Sequence, residues 1–255
     1  MGVSIKSERE IELMRESCKR LEYVHYKLGE IVKPGISTME INQYGEKLIR
    51  EQGGIPNFLN YDGYPASICV SVNEEVVHGI PKKNRILEDG DIVSLDAGLI
   101  YKGYHSDAAR THLVGNVAPE VKKLVEVTKQ SFFEGIKMAK AGNHLFDISN
   151  AIADYIDQFG YGIVRELVGH GIGTKLHEDP QIPNFHTLRR GMMLRPGMTL
   201  CIEPMINLGT ADVYFEDDDW TVVAADGLPS AHYENTILIT EGEPEILTLG
   251  AFEKE

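Results

Sequence analysis

The chain is 255 residues long and 42% hydrophobic, and its 25 basic and 39 acidic side chains leave a net charge of −14. That length supports one large domain, or two fused halves, with a substantial core. The acidic balance argues against nucleic acid or an anionic membrane as the main partner, and no apolar run approaches the ~20 residues of a membrane span.

The opening segment MGVSIKSERE lacks an apolar signal region. It also places Lys6 where a myristoylation motif needs Ser or Thr. Cys18, Cys69 and Cys201 are few, scattered and odd in number, which suits reduced thiols in a cytoplasm better than a disulfide framework.

Ile11, Met14, Cys18, Leu21, His25, Leu28 and Val32 recur at helical spacing, and Pro34-Gly35 ends the stripe. Ser37 and Glu40 have capping-box spacing and open a second helix through Ile41, Tyr44 and Leu48, which Gly53-Gly54 closes. Farther on, DIVSLDAGLIYKGYHSDAARTHLV reads as a hairpin turning at Lys102-Gly103. Its register sets Tyr101 against Tyr104, Gly98 against Asp107 and Asp96 against Ala109. Asp96 and Asp107 then project from one face as diagonal neighbours, roughly 7–8 Å apart. The ordinary explanation for two such acids is a solvated face; the alternative is a metal ion, which requires further ligands. Pro119 starts another helix, expected over about 119–140.

The pattern then returns. KPGISTMEINQYGEKLIREQGG aligns with KAGNHLFDISNAIADYIDQFGY, and LEDGDIVSLDAG with LRPGMTLCIEPM, both at an offset of 107. Gly35 falls on Gly142, Gly53 on Gly160, Gly90 on Gly197 and Asp96 on Glu203. No linker or low-complexity tract separates the copies. The expectation is a single catalytic domain, 1–255, made of half-repeats of about 1–115 and 116–255. Paired helices against a strand-rich layer, with pseudo-twofold symmetry, make it α+β.

Duplication sharpens the metal question. Glu203 sits in TLCIEPM, Glu234 in SAHYENTILIT and His170 between glycines in GHGIG. Asp96, Asp107, His170, Glu203 and Glu234 together suit Mn²⁺, Fe²⁺, Co²⁺ or Zn²⁺. Four carboxylates balance two divalent cations, whereas one ion would leave two acids uncompensated in a poorly solvated site.

The motifs NEEVVHGIP, SLDAGLIYKGYHSDAARTHLVG, GHGIGTKLHEDPQIPN, LRPGMTLCIEPM and SAHYENTILIT span most of the chain. In them the sequence resembles the short bacterial type I methionine aminopeptidases. The resemblance implies the pita-bread fold, with helices packed on a curved, mainly antiparallel sheet. It implies that Asp107 and Glu234 bridge two metal ions, that Asp96 completes one shell, and that His170 and Glu203 complete the other. A metal-activated hydroxide would attack the first peptide bond, with Glu203 as general base. His78 would lie near the scissile nitrogen and His177 near the substrate carbonyl. Tyr61, Tyr64, Cys69 and Trp220 would line the methionine pocket. Phe58 and Leu176 join them at positions where familiar members carry a small residue and an aromatic one. The substrate would be a peptide or nascent-chain N-terminus with a small second residue. Any ribosome contact would use the catalytic domain, and a monomer is expected.

Prolidase and aminopeptidase P share the ligand set, but they carry a large N-terminal domain where only 77 residues precede His78 here. Type II methionine aminopeptidases insert helices before the last ligand, yet Glu203 and Glu234 are only 31 apart. Metal-free pita-bread binding proteins lose ligands, and all five stand here. There is no H-E-x-x-H, and GHGIGTK lacks P-loop spacing.

Overall fold

Two helices with one apolar face each lead both halves of the chain, and those faces decide what the strands pack against. In the computed structural model, which describes residues 2–252, the first half runs α1 (Glu8–Ile31), α2 (Thr38–Glu51), β1 (Ile55–Pro56), β2 (Ile68–Val72), β3 (Glu75–Val77), β4 (Ile92–Tyr101) and β5 (Tyr104–Leu113). The second half begins with α3 (Pro119–Ile136), α4 (Leu145–Ile156), β6 (Gly162–Ile163), β7 (Gly169–Gly171), β8 (Glu178–Ile182) and β9 (Thr199–Ile202). It ends with β10 (Met205–Asn207), β11 (Val213–Phe215), β12 (Val222–Ala224), β13 (Ser230–His232), β14 (Glu234–Leu238) and β15 (Glu245–Ile246).

Among the described residues the main sheet has nine strands, ordered β1-β4-β5-β14-β9-β7-β8, with β2 paired to β4 and β15 to β14. Every pairing in it is antiparallel. The seam between the halves is β5 against β14. Two smaller sheets, β13-β10-β6 and β11-β12-β3, flank it.

The sequence repeat has a backbone counterpart. Gly35 and Gly142 have φ of 92° and 90°, and Gly53 and Gly160 have 72° and 70°, values that glycine enters without a Cβ clash. Ser37–Glu40 and His144–Asp147 both form capping boxes. The isolated bridges Ser37↔Ile86 and His144↔Met193 correspond as well, at the same offset of 107. Two boundaries differ from expectation. Val32 lies just outside α1, in an extended conformation. α3 stops at Ile136 instead of continuing to about 140. There the Met138 and Ala139 amides donate to Gly135 and Ile136, a tightened turn that closes the helix early.

Each half has its own core between helices and sheet. Leu21, Leu28, Ile41, Ile49, Leu95 and Leu99 form the first; Phe132, Ile148, Ile152, Leu200 and Ile237 belong to the second. Buried Ser17 locks α1 to the hairpin, with its hydroxyl 3.2 Å from the Leu99 carbonyl, 3.1 Å from that of Tyr104 and 3.0 Å from Ser106 Oγ. Leu99 is fully buried and packs over Gly54, where a Cβ would meet its Cγ at 2.5 Å. Leu99→Ala should therefore leave a cavity costing about 2–5 kcal/mol. Urea denaturation should show a lower midpoint at unchanged slope; an unchanged midpoint would mean that the first core does not depend on this contact.

Candidate metal centre

Strand register brings the acids together. Across β4, β5 and β14, Asp96 pairs with Ala109 and Ala109 with Glu234. Residues paired across a sheet share a face, so both carboxylates emerge from the same side, flanking a methyl group. Asp107 lies two residues from Ala109 and shares that face. The next row runs Gly98, Asp107, Thr236, Cys201 and His170. Gly98 pairs with Asp107, Thr236 with Cys201, and Cys201 with His170, while the Asp107 amide donates to Thr236 Oγ1 at 3.1 Å. Glu203 follows Cys201 by two residues, just past the end of β9. Its counterpart Asp96 sits inside β4. The strand stops short because Pro204 has no amide to donate.

The hairpin turns as expected at Lys102 and Gly103, both with positive φ (49° and 84°), the type I′ geometry. Gly98 leaves room opposite Asp107: a Cβ there would meet Asn57 Oδ1 at 2.0 Å, and Asn57 Nδ2 donates to the Ser106 carbonyl at 3.2 Å.

His170 shows what the face lacks. Its Nδ1 is 2.9 Å from the Gly171 carbonyl. A carbonyl can only accept, so Nδ1 carries the proton and Nε2 presents a lone pair. That lone pair faces Glu203 Oε1 at 3.7 Å and Asp107 Oδ2 at 3.9 Å. Burial holds the imidazole down to about 3, with His177 adding to the shift, so the ring offers these carboxylates a lone pair and not a proton. Asp96 Oδ1, Asp107 Oδ1 and Glu234 Oε1 are buried without a hydrogen-bond donor. Burial raises Asp107 well above the usual carboxylate range, reinforced by Glu234, Asp96 and Glu203. Burial also raises Glu234, with Glu203 and Asp96 adding to it, and Glu203, with Asp96 adding. Asp96 rises to about 6 through burial, partly offset by His232. Unpaired acceptors converging from several strands fit a divalent cation, and donor atoms of Asp107, His170, Cys201 and Glu234 lie within 4.8 Å of one another.

Phe58, Tyr61, Tyr64, Cys69, His78, Leu176, His177 and Trp220 complete the cavity, so the thirteen residues singled out from sequence all line one space of about 110 Å³. His78 follows β3 with φ of 60°, a region costly for a side chain with a Cβ. The next residue holds it there: the Gly79 amide donates to Ser71 Oγ at 3.1 Å, and Tyr64 Oη donates to the Gly79 carbonyl at 2.9 Å. His177 stands edge-on to His170, with ring centres 4.4 Å apart, and its Nδ1 is 2.8 Å from Tyr61 Oη. Trp220 sits edge-on to Tyr64 at 5.1 Å.

Sequence reasoning passed over four neighbours. His232 is buried, with Nε2 3.7 Å from Glu203 Oε2 and 3.9 Å from Glu234 Oε2. Cys201 joins the donor cluster, although burial keeps its thiol protonated. Thr236 Oγ1 donates to the Asp107 carbonyl at 2.8 Å, and Asn184 Nδ2 to the Glu203 carbonyl at 3.1 Å. Three of these were within reach of the two-residue strand period: Cys201 stands two before Glu203, and His232 and Thr236 stand two to either side of Glu234. Asn184 gave no such signal.

Residues 12–241 match the profile of metallopeptidase family M24. The chain belongs to that family. As an M24 metallopeptidase it uses a divalent metal, which is what the converging acceptors require. It is 49% identical to the methionine aminopeptidase of Clostridium acetobutylicum over 97% of this chain and 99% of that one. The crystal structure of methionine aminopeptidase from Thermotoga maritima superposes with a TM-score of 0.95 at 42% identity, covering 98% of this chain and all of the other. Prolidase from Pyrococcus furiosus shares the fold, with a TM-score of 0.77 and 24% identity over 96% of this chain and 65% of its own. The M24 architecture is the α+β pita-bread fold expected from the motifs.

Metal should stabilise this fold. A divalent ion at about 100 times its Kd adds about 2.7 kcal/mol, or about 5–10 °C in Tm at this size. Thermal scans with Mn²⁺ should show that rise for the wild type and little of it for Asp107→Ala. An equal rise in both would remove Asp107 from the metal centre.

Proposed function

We propose that this chain is a methionine aminopeptidase that releases N-terminal methionine when the second residue is small. The supporting observation is a single cavity lined by apolar and by acidic side chains together. Phe58, Tyr61, Tyr64, Cys69, Leu176 and Trp220 line it beside Asp96, Asp107, Glu203 and Glu234. At about 110 Å³ it has room for a side chain beside the acids. Near-complete coverage at about half identity to a protein named for this activity supports the same reading.

Asp96, Asp107, His170, Glu203 and Glu234 would hold two divalent ions, Co, Mn, Fe or Zn. Such ions supply Lewis-acid polarisation of the carbonyl and water activated at neutral pH. Glu203, raised by burial, takes the proton of the attacking water and passes it to the leaving amine. His177, oriented by Tyr61, faces the carbonyl oxygen as negative charge builds there. His78, which burial holds down to about 4 with His232 and His177 adding to the shift, is neutral and can hydrogen-bond the scissile amide. The free α-amine lies on the Asp96–Asp107 side.

The protein would work as a cytoplasmic monomer on nascent chains, with only transient ribosome contact and no nucleic-acid or membrane site. Its three cysteines are free and buried, in keeping with a reducing compartment. Among the described residues, no helix is long and apolar enough to cross a membrane.

Burying a methionine side chain in the pocket is worth about 1.5–3 kcal/mol. Mass spectrometry of the metal-loaded protein should show cleavage of Met-Gly and Met-Ala peptides. Leu-Gly, Met-Lys and formyl-Met-Gly should be cleaved poorly, the last because its amide nitrogen is a poor ligand. Preference for an Xaa-Pro peptide over Met-Ala would move the chain to the proline-specific branch.

A further inference from the structure

Lysine is rarely buried unless paired, yet Lys6 is only 6% exposed. Its Nζ donates to Glu178 Oε2 at 2.7 Å. This pair joins an N-terminal arm to the residue immediately after His177. Two glycines make room for the arm. A Cβ on Gly173 would meet Lys6 Cε at 2.5 Å, Lys6 Nζ at 2.6 Å and Glu178 Oε1 at 2.7 Å. A Cβ on Gly197 would meet Ile5 Cγ2 at 2.8 Å and the Lys6 carbonyl at 2.9 Å. The Lys6 amide donates to the Gly197 carbonyl at 2.8 Å, so the arm is anchored by backbone as well as by charge.

Glu178 uses both oxygens. While Oε2 accepts from Lys6, Oε1 accepts from the Lys175 amide at 3.2 Å, bending the chain across 173–178. On the other side of this turn the His105 amide donates to the Gly173 carbonyl at 2.8 Å. The turn carries Leu176 and His177 into the catalytic cavity. A groove of about 560 Å³ is lined by Gly2 and Ser4 of the arm together with His170, His177 and Glu178. Buried ion pairs in general add little net stability over apolar residues of similar shape, so stability alone does not account for a lysine here. What the pair does geometrically is hold the Glu178 end of the turn that presents His177, packed over Gly173, whose carbonyl the His105 amide holds at the other end.

We propose that Lys6 is a positioning residue for the reaction: through its ion pair with Glu178 it fixes turn 173–178 and so holds the His177 imidazole at the cavity. This rests on the aminopeptidase reading, in which His177 acts on the substrate carbonyl.

The test compares wild type, Lys6→Met, His177→Ala and the double variant Lys6→Met/His177→Ala, all metal-loaded, on a Met-Ala peptide. His177→Ala should lower kcat on the order of 10²–10³-fold. Lys6→Met should lower kcat about 10- to 100-fold with little change in KM, the scale of a misplaced catalytic group. In the His177→Ala background Lys6→Met should add no further loss, because the group it positions is gone. Losses that multiply would overturn the proposal. If Lys6→Met folds poorly with Glu178 unpaired, Lys6→Met/Glu178→Gln removes both charges and should keep the kcat defect; full activity in that variant would also overturn it. A second readout needs no turnover. In ¹⁵N-histidine spectra of the zinc-loaded protein, Lys6→Met should shift or broaden the His177 ring signals, and unchanged signals would count against the proposal. Failure of the wild type to cleave Met-Ala would instead overturn the aminopeptidase reading, leaving the ring signals to decide what Lys6 positions.

Discussion

Charge compensation on one face of the main sheet is the constraint on which the rest depends. Asp96, Asp107, Glu203 and Glu234 converge there with a histidine whose lone pair faces two of them. Without a cation the face must bind protons instead, which is why burial pushes these carboxyls upward. The sign follows from linkage. A carboxyl that holds its proton more tightly folded than unfolded lends stability at low pH and loses it as pH rises; for Asp96 that window runs from the ordinary carboxylate range to about 6. The sheet dictates where these acids stand: β4, β5, β14, β9 and β7 are paired residue by residue behind the site, and two separate cores hold them there.

Duplication explains how such a face can be built. Two copies of a helix-pair-and-strand unit meet along β5 and β14, so equivalent strands bring Asp96 and Glu203 to one site. The copies then diverge. Asp96 stays within a long regular strand, while Pro204 ends β9 and releases Glu203 at a strand terminus. Equivalent positions thereby sit in different backbone settings, one inside a strand and the other just past a strand's end.

Much of this was legible in sequence because it is local. A two-residue turn at Lys102-Gly103 sets the register of the whole hairpin, and with it the shared face of Asp96 and Asp107. Gly35 and Gly142 mark the same left-handed position in both halves, so the repeat could be aligned on them. The end of α3 was less legible, since nothing in LysMetAlaLys forbids another helical turn and the stop is a tightened turn in which the Met138 and Ala139 amides donate to Gly135 and Ile136. His232 and Cys201 were within reach of the strand period but read as ordinary buried residues. Lys6 carried no signal at all: its partner lies 172 residues away, and a lysine in a polar N-terminal segment reads as solvated.

The most direct measurement is anomalous diffraction from manganese-loaded crystals, collected at the metal edge. Anomalous density at the face formed by Asp96, Asp107, His170, Glu203 and Glu234 is expected, and the proposed dinuclear reading predicts two peaks about 3.5–4 Å apart there. A protein without bound metal at this face, or one whose only manganese lies elsewhere, would contradict the claim that metal cations neutralise the four acids.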